Sequence, residues 1–179
     1  KTGTLTQNQM TVQEVCAGDR NYELSGVGYA PDGGISLDGS SIEPGQFDTL
    51  IECLRAGLLC NDSRLIHNEG SWGIEGDPTE VALITSALKS GVSVDASEQD
   101  YPRVDTLPFE SQHHYMATLH QTDTRPHGVI YLKGSVESIV SRCHNALNDA
   151  GESCPLDEAL IQRQLQEMAV RGLRVLAFA

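Results

Sequence analysis

The sequence is poor in basic residues and has no long apolar run. Only 12 Lys and Arg residues stand against 25 Asp and Glu residues, giving a formal net charge of -13 and an isoelectric point near 4.7. Such a surface repels a polyanion at long range, so we expect no nucleic-acid partner. No apolar stretch approaches the roughly 20 residues that span a bilayer, and no signal-peptide pattern opens the chain. We therefore expect a soluble polypeptide.

Cysteines with metal-binding or redox spacing are also missing. The five cysteines form an odd set without a Cys-x-x-Cys pair, which disfavours a disulfide framework or a zinc knuckle and fits a reducing cytoplasm. His113, His114 and His120 lack the spacing of a metalloprotease helix, and no cysteine lies near them in the sequence. The sequence predicts no metal site of its own.

The sequence does contain the patterning of one folded domain of 179 residues. Two alternating segments, 10–17 and 21–24, flank a turn and predict a β-hairpin. Apolar residues recur at helical spacing over 47–59 and predict an amphipathic helix. The glycine-rich stretch 26–34 has no strand before it and no helix directly after it. We interpret that stretch as a loop rather than a dinucleotide-binding fingerprint.

A second helix is predicted between Asp77 and Gly91. Asp77 can accept hydrogen bonds as the N-cap, and Pro78 suits the first helical position because its missing N–H costs nothing there. Glu80 would complete a capping-box-like start. By the same reasoning, Ser135 can cap a short helix that continues through Arg142.

The second half of the chain changes to a β pattern. Segments 103–109, 115–121 and 129–133 predict three strands with short connections, which favours an antiparallel meander. A helix is predicted over about 157–171, followed by an apolar strand over 173–179. The sum is an α+β domain with a mainly antiparallel, twisted sheet flanked by helices.

Five short strings along the chain carry a resemblance when they are taken together and in order. They are Lys1-Thr-Gly-Thr-Leu-Thr6, Gly76-Asp-Pro-Thr-Glu-Val-Ala-Leu83, Pro108-Phe109 with Met116, Lys133-Gly-Ser-Val-Glu137 and Gly172-Leu-Arg-Val-Leu-Ala177. This set resembles the nucleotide-binding domain of P-type cation-transporting ATPases, in the branch that contains calcium and sodium–potassium pumps.

That family phosphorylates an aspartate immediately before its Lys-Thr-Gly-Thr string. The resemblance implies that residues 1–8 are a remnant of the phosphorylation-domain segment and that residues 9–179 form the nucleotide-binding domain. The phosphorylated aspartate lies outside this sequence. It follows from the resemblance that the chain carries no catalytic residue, and that it should bind ATP without hydrolysing it.

The resemblance also implies the ligand and its contacts. The ligand is ATP, with Mg²⁺ bound mainly outside this chain, and the partners are the phosphorylation and transmembrane domains of the same full-length membrane protein. We expect the chain by itself to be monomeric. The ATP-binding residues implied by the matching positions are Glu80, Phe109, His114, Met116, Lys133, Gly134, Arg174 and Leu176.

Two of these residues have a clear chemical reason to bind a nucleotide. Phe109 can stack on adenine, and Lys133 ends an apolar strand just before a helix begins, where backbone N–H groups and the amine both favour an anion. Ordinary alternatives remain open for both. Phe109 could be a core aromatic, and Lys133 could be a strand-end lysine whose stem lies on apolar surface.

Three further residues are open to a second interpretation. Glu80 could accept a hydrogen bond from the adenine amino group or could serve only the helix cap. Arg174 is a permanent cation in an otherwise apolar strand, and its counterpart in the family contacts phosphates or ribose. Leu176, on the same strand face by period-two geometry, could close the adenine pocket or could be plain core.

The chain departs from its resemblance beside Met116. Calcium-pump relatives usually carry Arg or Lys before that methionine, whereas this sequence has His113 and His114. An ordinary histidine is mostly uncharged at neutral pH. We therefore expect His114 to make at most a weak, pH-dependent phosphate contact.

Two other classes of function compete with an ATP-binding module. One is a domain without a ligand whose acidic surface recognises a basic partner. The other is a small phosphohydrolase related through the Thr-Gly-Thr string, although such an enzyme needs an aspartate nucleophile that no residue before Lys1 supplies.

Overall fold

A computed structural model of the chain describes residues 9–68, 70–123 and 125–179. The expectation that residues 1–8 are a remnant of another domain lies outside these described residues. Within the described part, helices accompany strands that pair only in the antiparallel sense. The predicted α+β class is confirmed.

The described strands form two four-stranded sheets and two separate hairpins. In chain order they are β1 (Glu14–Ala17), β2 (Arg20–Leu24), β3 (Ile35–Leu37), β4 (Ser40–Ser41), β5 (Arg64–Asn68), β6 (Ser71–Glu75), β7 (Arg103–Glu110), β8 (Tyr115–Thr122), β9 (Arg125–Gly134), β10 (Asn145–Leu147), β11 (Ser153–Pro155) and β12 (Ala177–Phe178). The first sheet has the order β1-β2-β3-β4, and the second has the order β12-β9-β8-β7. The hairpins are β5-β6 and β10-β11.

Five α-helices lie in the same described ranges, together with a short 3₁₀ turn at Pro44–Gln46. They are α1 (Asp48–Leu59), α2 (Pro78–Lys89), α3 (Val94–Asp100), α4 (Val136–Val140) and α5 (Glu158–Val170). The helices predicted over 47–59, after Asp77 and over about 157–171 are confirmed, and α4 is shorter than predicted. None of these helices is long and apolar enough to cross a bilayer.

Helix α1 is central because it contributes to two hydrophobic clusters. One side of the helix packs with the first sheet and α2, and the other packs against the second sheet. The first cluster contains Leu50, Leu54, Leu58, Tyr22, Leu24, Ile35 and Ile84, whereas the second contains Ala56, Leu59, Cys60, Met116 and Tyr131. The apolar stripe predicted for this helix is therefore buried, and it joins the two sheets into one core.

The second sheet carries several of the residues that the sequence predicts to bind ATP. Strands β7, β8 and β9 form the predicted antiparallel meander. Burial alternates along β8, so that Met116, Thr118 and His120 face the core. On β9 the inward residues are Tyr131 and Lys133. A lysine is thus placed on the buried face of the sheet.

The end of the described chain differs from its sequence prediction. The sequence predicts one strand over 173–179, but the observed strand is only Ala177–Phe178, with Phe178 opposite Lys133 on β9. Ala179 continues the contact by exchanging two backbone hydrogen bonds with Leu132. Residues 173–176 have no strand pairing. Apolar character predicts burial of this stretch, but the length of the strand depends on how much of β9 is available for pairing.

Candidate functional site

The site begins at the first turn of α2, where Asp77 acts as the N-cap. Its Oδ1 accepts hydrogen bonds from the backbone N–H of Thr79 at 2.8 Å and of Glu80 at 3.2 Å. Burial alone would raise the pKa of Asp77, but these bonds and the nearby Arg174 charge hold that pKa below its ordinary value. The predicted cap is confirmed, and the carboxylate stays ionised at the helix N-terminus.

Glu80 does not play the capping-box part. The backbone N–H of Asp77 donates instead to the hydroxyl of Ser63, 2.8 Å away. The Glu80 carboxylate turns toward the second sheet, where its Oε1 accepts a hydrogen bond from Lys133 Nζ at 2.7 Å. The capping alternative for the Glu80 side chain is therefore wrong, and its carboxylate faces the predicted lysine.

Lys133 is buried because it occupies an inward position of β9. It is 7% exposed, and its neighbour across the sheet is Met116. A buried ammonium is costly without a partner, and the salt bridge to Glu80 supplies one. The sequence predicts an amine that emerges at a strand end, whereas in the structure the amine is held inside by a carboxylate from α2.

A short segment after α1 completes the polar surroundings of Glu80. Ser63 Oγ donates to Glu80 Oε2 at 2.6 Å, and the backbone N–H of Asp62 reaches the same oxygen at 3.2 Å. Asn61 is buried and donates its amide to the backbone oxygen of Glu80 at 2.9 Å. We call Asn61, Ser63, Asp77, Glu80 and Lys133 the polar cluster.

Sequence reasoning missed Asn61 and Ser63. The Asn-Asp-Ser sequence after a helical stripe indicates a turn, but no local pattern shows which distant carboxylate that turn will meet. Gly76 offers the one signal. Its φ is +107°, and a Cβ there would lie 2.2 Å from Ser63 Oγ. The glycine that opens the Gly-Asp-Pro-Thr-Glu string therefore leaves room for the serine.

Phe109 lies on the outer part of the meander, near the end of β7. Pro108 and Phe109 stand between the pairs Leu107–Ala117 and Glu110–Tyr115, opposite the single residue Met116. This two-for-one arrangement is a β-bulge, which re-aims side chains at a strand end. Phe109 is 59% exposed, so the alternative that it is an ordinary core aromatic is wrong.

His114 and Gly134 meet at the same end of the sheet. His114 is exposed and has a φ of +57° in the tight turn between β7 and β8. Its backbone oxygen accepts a hydrogen bond from the Ser135 N–H at 3.0 Å. A Cβ on Gly134 would lie 2.4 Å from that oxygen. Gly134 therefore allows the end of β9 to pass directly against the turn.

Arg174 and Leu176 approach the polar cluster from the last described segment. Arg174 is exposed, and its Nη1 donates to Thr79 Oγ1 at 3.2 Å, in the first turn of α2. Leu176 is half-buried two residues before Phe178, the β12 residue that pairs with Lys133. The guanidinium thus lies beside the same helix start that carries Glu80.

The structure therefore brings most of the predicted residues to one region. Glu80 and Lys133 are in contact, Met116 is the strand neighbour of Lys133, and Arg174 contacts the residue before Glu80. Gly134, His114, Phe109 and Leu176 are placed around this region by the strand register and the turn. An exposed aromatic ring, a carboxylate and two cations can together accommodate a flat base with an amino group and an attached phosphate chain.

The shape of the surface alone would suggest a binding site away from the polar cluster. An open depression of about 520 Å³ lies between the β1–β2 hairpin and α5, lined by Glu14, Glu167 and Arg171 among others. Its arginine is already paired with the carboxylate of Glu14. None of the residues predicted to bind ATP lines it, so the chemistry of the polar cluster carries more weight than the depth of this depression.

Comparison with known proteins identifies the class to which this fold and site belong. The family described as "P-type ATPase, cytoplasmic domain N" matches residues 49–179. The chain belongs to this family, as the resemblance of its five strings indicated.

Curated relatives extend the match over the whole chain. The chain is 49% identical to the cation-transporting ATPase pma1 of Synechocystis sp., with all of this chain covered, and 38% identical to the probable cation-transporting ATPase F of Mycobacterium tuberculosis, with 99% covered. It is also 32% identical to a calcium-transporting ATPase of Bacillus subtilis, again with all of this chain covered. The chain spans about a fifth of the length of these relatives, 20%, 19% and 20% respectively.

Proposed function

We propose that this chain is the part of a cation-transporting ATPase that binds ATP and presents it to an aspartate outside the chain. Residues 9–179 would be the nucleotide-binding domain, and residues 1–8 would belong to the phosphorylation segment. The observation that carries the proposal is the contact between Glu80 and Lys133 beside Arg174. These residues are far apart in sequence and meet only in the fold.

Phe109 holds the base. Its exposed ring at the β7 bulge stacks on adenine, a contact worth about 1–3 kcal/mol for a base on an aromatic side chain. Leu176 supplies an apolar wall, whereas Met116 is 2% exposed and packs in the core, so it supports the site from beneath. A ring that is 59% exposed contributes little to the core, so its exposure is explained if it is kept for a ligand.

Glu80 and Lys133 act as a pair in recognising the base and attracting the nucleotide. The carboxylate accepts a hydrogen bond from the adenine amino group, while the ammonium holds the carboxylate in place through the 2.7 Å contact. Because the ammonium has three N–H donors, it can keep this bond and also attract the nucleotide. Gly134 keeps the strand close enough to the His114 turn for this geometry.

Arg174 directs the phosphate chain. Its guanidinium is exposed at the start of α2, where it donates to Thr79, and it can make charge-assisted bonds to phosphate oxygens. In a chain with a net charge of -13, such a local cation is needed to offset long-range repulsion of the nucleotide. His114 would add a weak phosphate contact.

Bound Mg²⁺ would supply neutralisation of the phosphate charge during phosphoryl transfer. In residues 9–68, 70–123 and 125–179, no group of three or more His, Cys, Asp or Glu side chains is arranged to hold a metal ion. The role of this chain's own residues is to bind the nucleoside and orient the phosphates.

The partners follow from the relatives. Because those proteins are about five times longer, we propose that the phosphorylation and transmembrane domains of the same polypeptide complete the active site and the cation path. The names of the relatives speak of cations and, for the Bacillus subtilis protein, of calcium. We propose a membrane ATPase that transports a cation, with this domain on its cytoplasmic side.

The experiment is an ATP titration of the 179-residue chain followed by amide NMR. We expect saturable shifts near Phe109, Lys133 and Arg174, with no release of phosphate when Mg²⁺ is added. Amides that stay unmoved at these positions would favour a domain with no nucleotide ligand and overturn the proposal. Release of phosphate would instead indicate a phosphohydrolase.

A further inference from the structure

The direction of each hydrogen bond at Ser63 can be assigned without ambiguity. The backbone N–H of Asp77 can only donate, so the Ser63 oxygen accepts that bond at 2.8 Å. An ionised carboxylate can only accept, so the single hydroxyl proton is given to Glu80 Oε2 at 2.6 Å. The hydroxyl therefore couples the start of α2 to the Glu80 carboxylate, and it has no second proton for any other acceptor.

Ser63 is itself held from two sides. Its backbone N–H donates to Asn61 Oδ1 at 2.9 Å, and the buried amide of Asn61 is anchored to backbone oxygens of α1 and α2. On the other side, Gly76 lets its backbone lie directly against Ser63, because a Cβ there would overlap the hydroxyl. A hydroxyl fixed in this way also fixes the carboxylate that it touches.

The bonds leave one acceptor position on Glu80 unused. A carboxylate offers about four lone-pair sites, two on each oxygen. Among the described residues, Ser63 and Asp62 donate to Oε2, and Lys133 donates to Oε1. The remaining position is on Oε1, beside the ammonium, and it can be filled only by a group that donates a hydrogen bond.

We infer that Ser63 is a positioning residue that makes the site selective for a base carrying an amino group. It holds Oε2 of Glu80, so that Oε1 alone is presented to the ligand. The inference rests on the proposed function, since it concerns how the same site distinguishes adenine from bases that lack a donor at that position. Ser63 touches no ligand itself and acts through Glu80.

The test compares two nucleotides on the 179-residue chain. ATP and purine riboside 5′-triphosphate differ only in the 6-amino group, so the ratio of their dissociation constants measures recognition of that group. We expect the unaltered chain to prefer ATP by about tenfold, the value of one good hydrogen bond to a charged acceptor. Ser63→Ala should reduce this preference to about threefold or less, and Ser63→Thr, which restores a hydroxyl, should recover it.

A double-mutant cycle with Glu80→Ala separates positioning from a general structural effect. If Ser63 acts through Glu80, Ser63→Ala changes the ratio only when Glu80 is present. Ser93→Ala is the matched control. Ser93 also accepts a backbone hydrogen bond at a helix start, from Ala96 N–H at 3.3 Å, but it caps α3. Ser63→Cys, which keeps the size but only a weak donor, makes the same comparison should Ser63→Ala not fold.

The outcomes distinguish the two levels of the argument. Equal weakening of both nucleotides by Ser63→Ala, with the ratio unchanged, overturns the inference and leaves a purely structural serine. An unaltered chain that binds the two nucleotides equally also overturns it while ATP binding stands. An unaltered chain that binds neither nucleotide overturns the proposed function and this inference with it.

Discussion

Lys133 and Phe109 lie on the same meander, but Lys133 is 7% exposed and Phe109 is 59% exposed. The lysine already has its partner, since Glu80 accepts its hydrogen bond and Ser63 holds that carboxylate. The phenylalanine stands on a bulge at the edge of the sheet. The Lys133 side of the site is therefore formed by folding itself, whereas the Phe109 side leaves an apolar ring exposed.

This contrast separates stability from binding. Removing a group from the polar cluster leaves a buried partner unsatisfied, so it should affect the fold and the ligand together. Removing the exposed ring takes away a contact that only a ligand would complete, so it should affect binding alone. Four variants, described in order of decreasing expected effect, test this division.

Lys133→Ala should have the largest effect. It leaves Glu80 without its cation, and we expect the free energy of unfolding to fall by about 3 kcal/mol, with ATP binding lost. Urea unfolding and titration calorimetry measure the two quantities. Lys89→Ala is the control, because Lys89 is a half-buried lysine that donates only to backbone oxygens, with Ser25 O at 2.7 Å. A Lys133→Ala protein as stable as the control would show that the pair does not hold the fold.

Phe109→Ala should weaken ATP binding while the fold stays intact. We expect a loss of about 2 kcal/mol in binding, from the value of a base stacked on an aromatic ring, and a change of less than about 0.5 kcal/mol in unfolding, as for other surface substitutions. Val104→Ala, at another exposed apolar position of β7, is the matched control. A clear drop in thermal stability for Phe109→Ala alone would contradict the division between the two sides.

Arg174→Gln should lower affinity for ATP more than affinity for adenosine. Because the guanidinium is exposed and solvent screens its charge, we expect only about 1 kcal/mol, or about fivefold, for the triphosphate. Calorimetry with both ligands gives the difference. Arg163→Gln, which removes an exposed cation of α5, should leave both affinities unchanged. Equal losses for ATP and adenosine would place Arg174 near the nucleoside rather than near the phosphates.

His120 gives the smallest effect and extends the comparison to pH. It is 1% exposed on the inward face of β8, where Nδ1 donates to the backbone oxygen of Tyr101 at 2.8 Å and Thr118 donates to Nε2 at 2.9 Å. Burial lowers the pKa of His120 below its ordinary value of about 6.5. The unfolded chain therefore binds more protons than the folded chain below that pH, and stability falls as the pH falls.

Between pH 7 and pH 5.5 we expect this histidine to cost at most about 1 kcal/mol of stability. His120→Gln should flatten the dependence of the unfolding free energy on pH, measured by urea unfolding at several pH values. His127→Gln, at an exposed position of β9, serves as the control. A slope that is the same in both variants would mean that other groups account for acid destabilisation.

Much of the fold could be predicted from local patterns. The stripe of α1, the cap at Asp77 and the three alternating strands each follow from a periodicity or a capping rule that acts within a few residues. The strand predicted over 173–179 was too long, since apolar character marks burial but not pairing. The bulge at Phe109 was not predicted, because it depends on a mismatch of register between two strands.

For the site, the sequence alone determined which residue types are available. The strings around Glu80, Phe109, Lys133 and Arg174 indicated the family, and the family match confirms that membership. The contacts of these residues with ATP remain a prediction. Local patterns cannot show that the Lys133 side chain faces the core. They also cannot show that the Glu80 carboxylate bonds this lysine instead of capping its helix, or that Ser63 holds the same carboxylate.

These three features depend on the packing of the whole fold, because the residues involved are far apart along the chain. Capping and periodicity act over three or four residues, so they favour the same local structure wherever the segment lies. An ion pair between α2 and β9, or a hydrogen bond from the turn after α1 to the Glu80 carboxylate, forms only once helices and sheet have packed against each other. The sequence provides the charged and polar side chains, and the packing of the helices against the second sheet determines which of them meet.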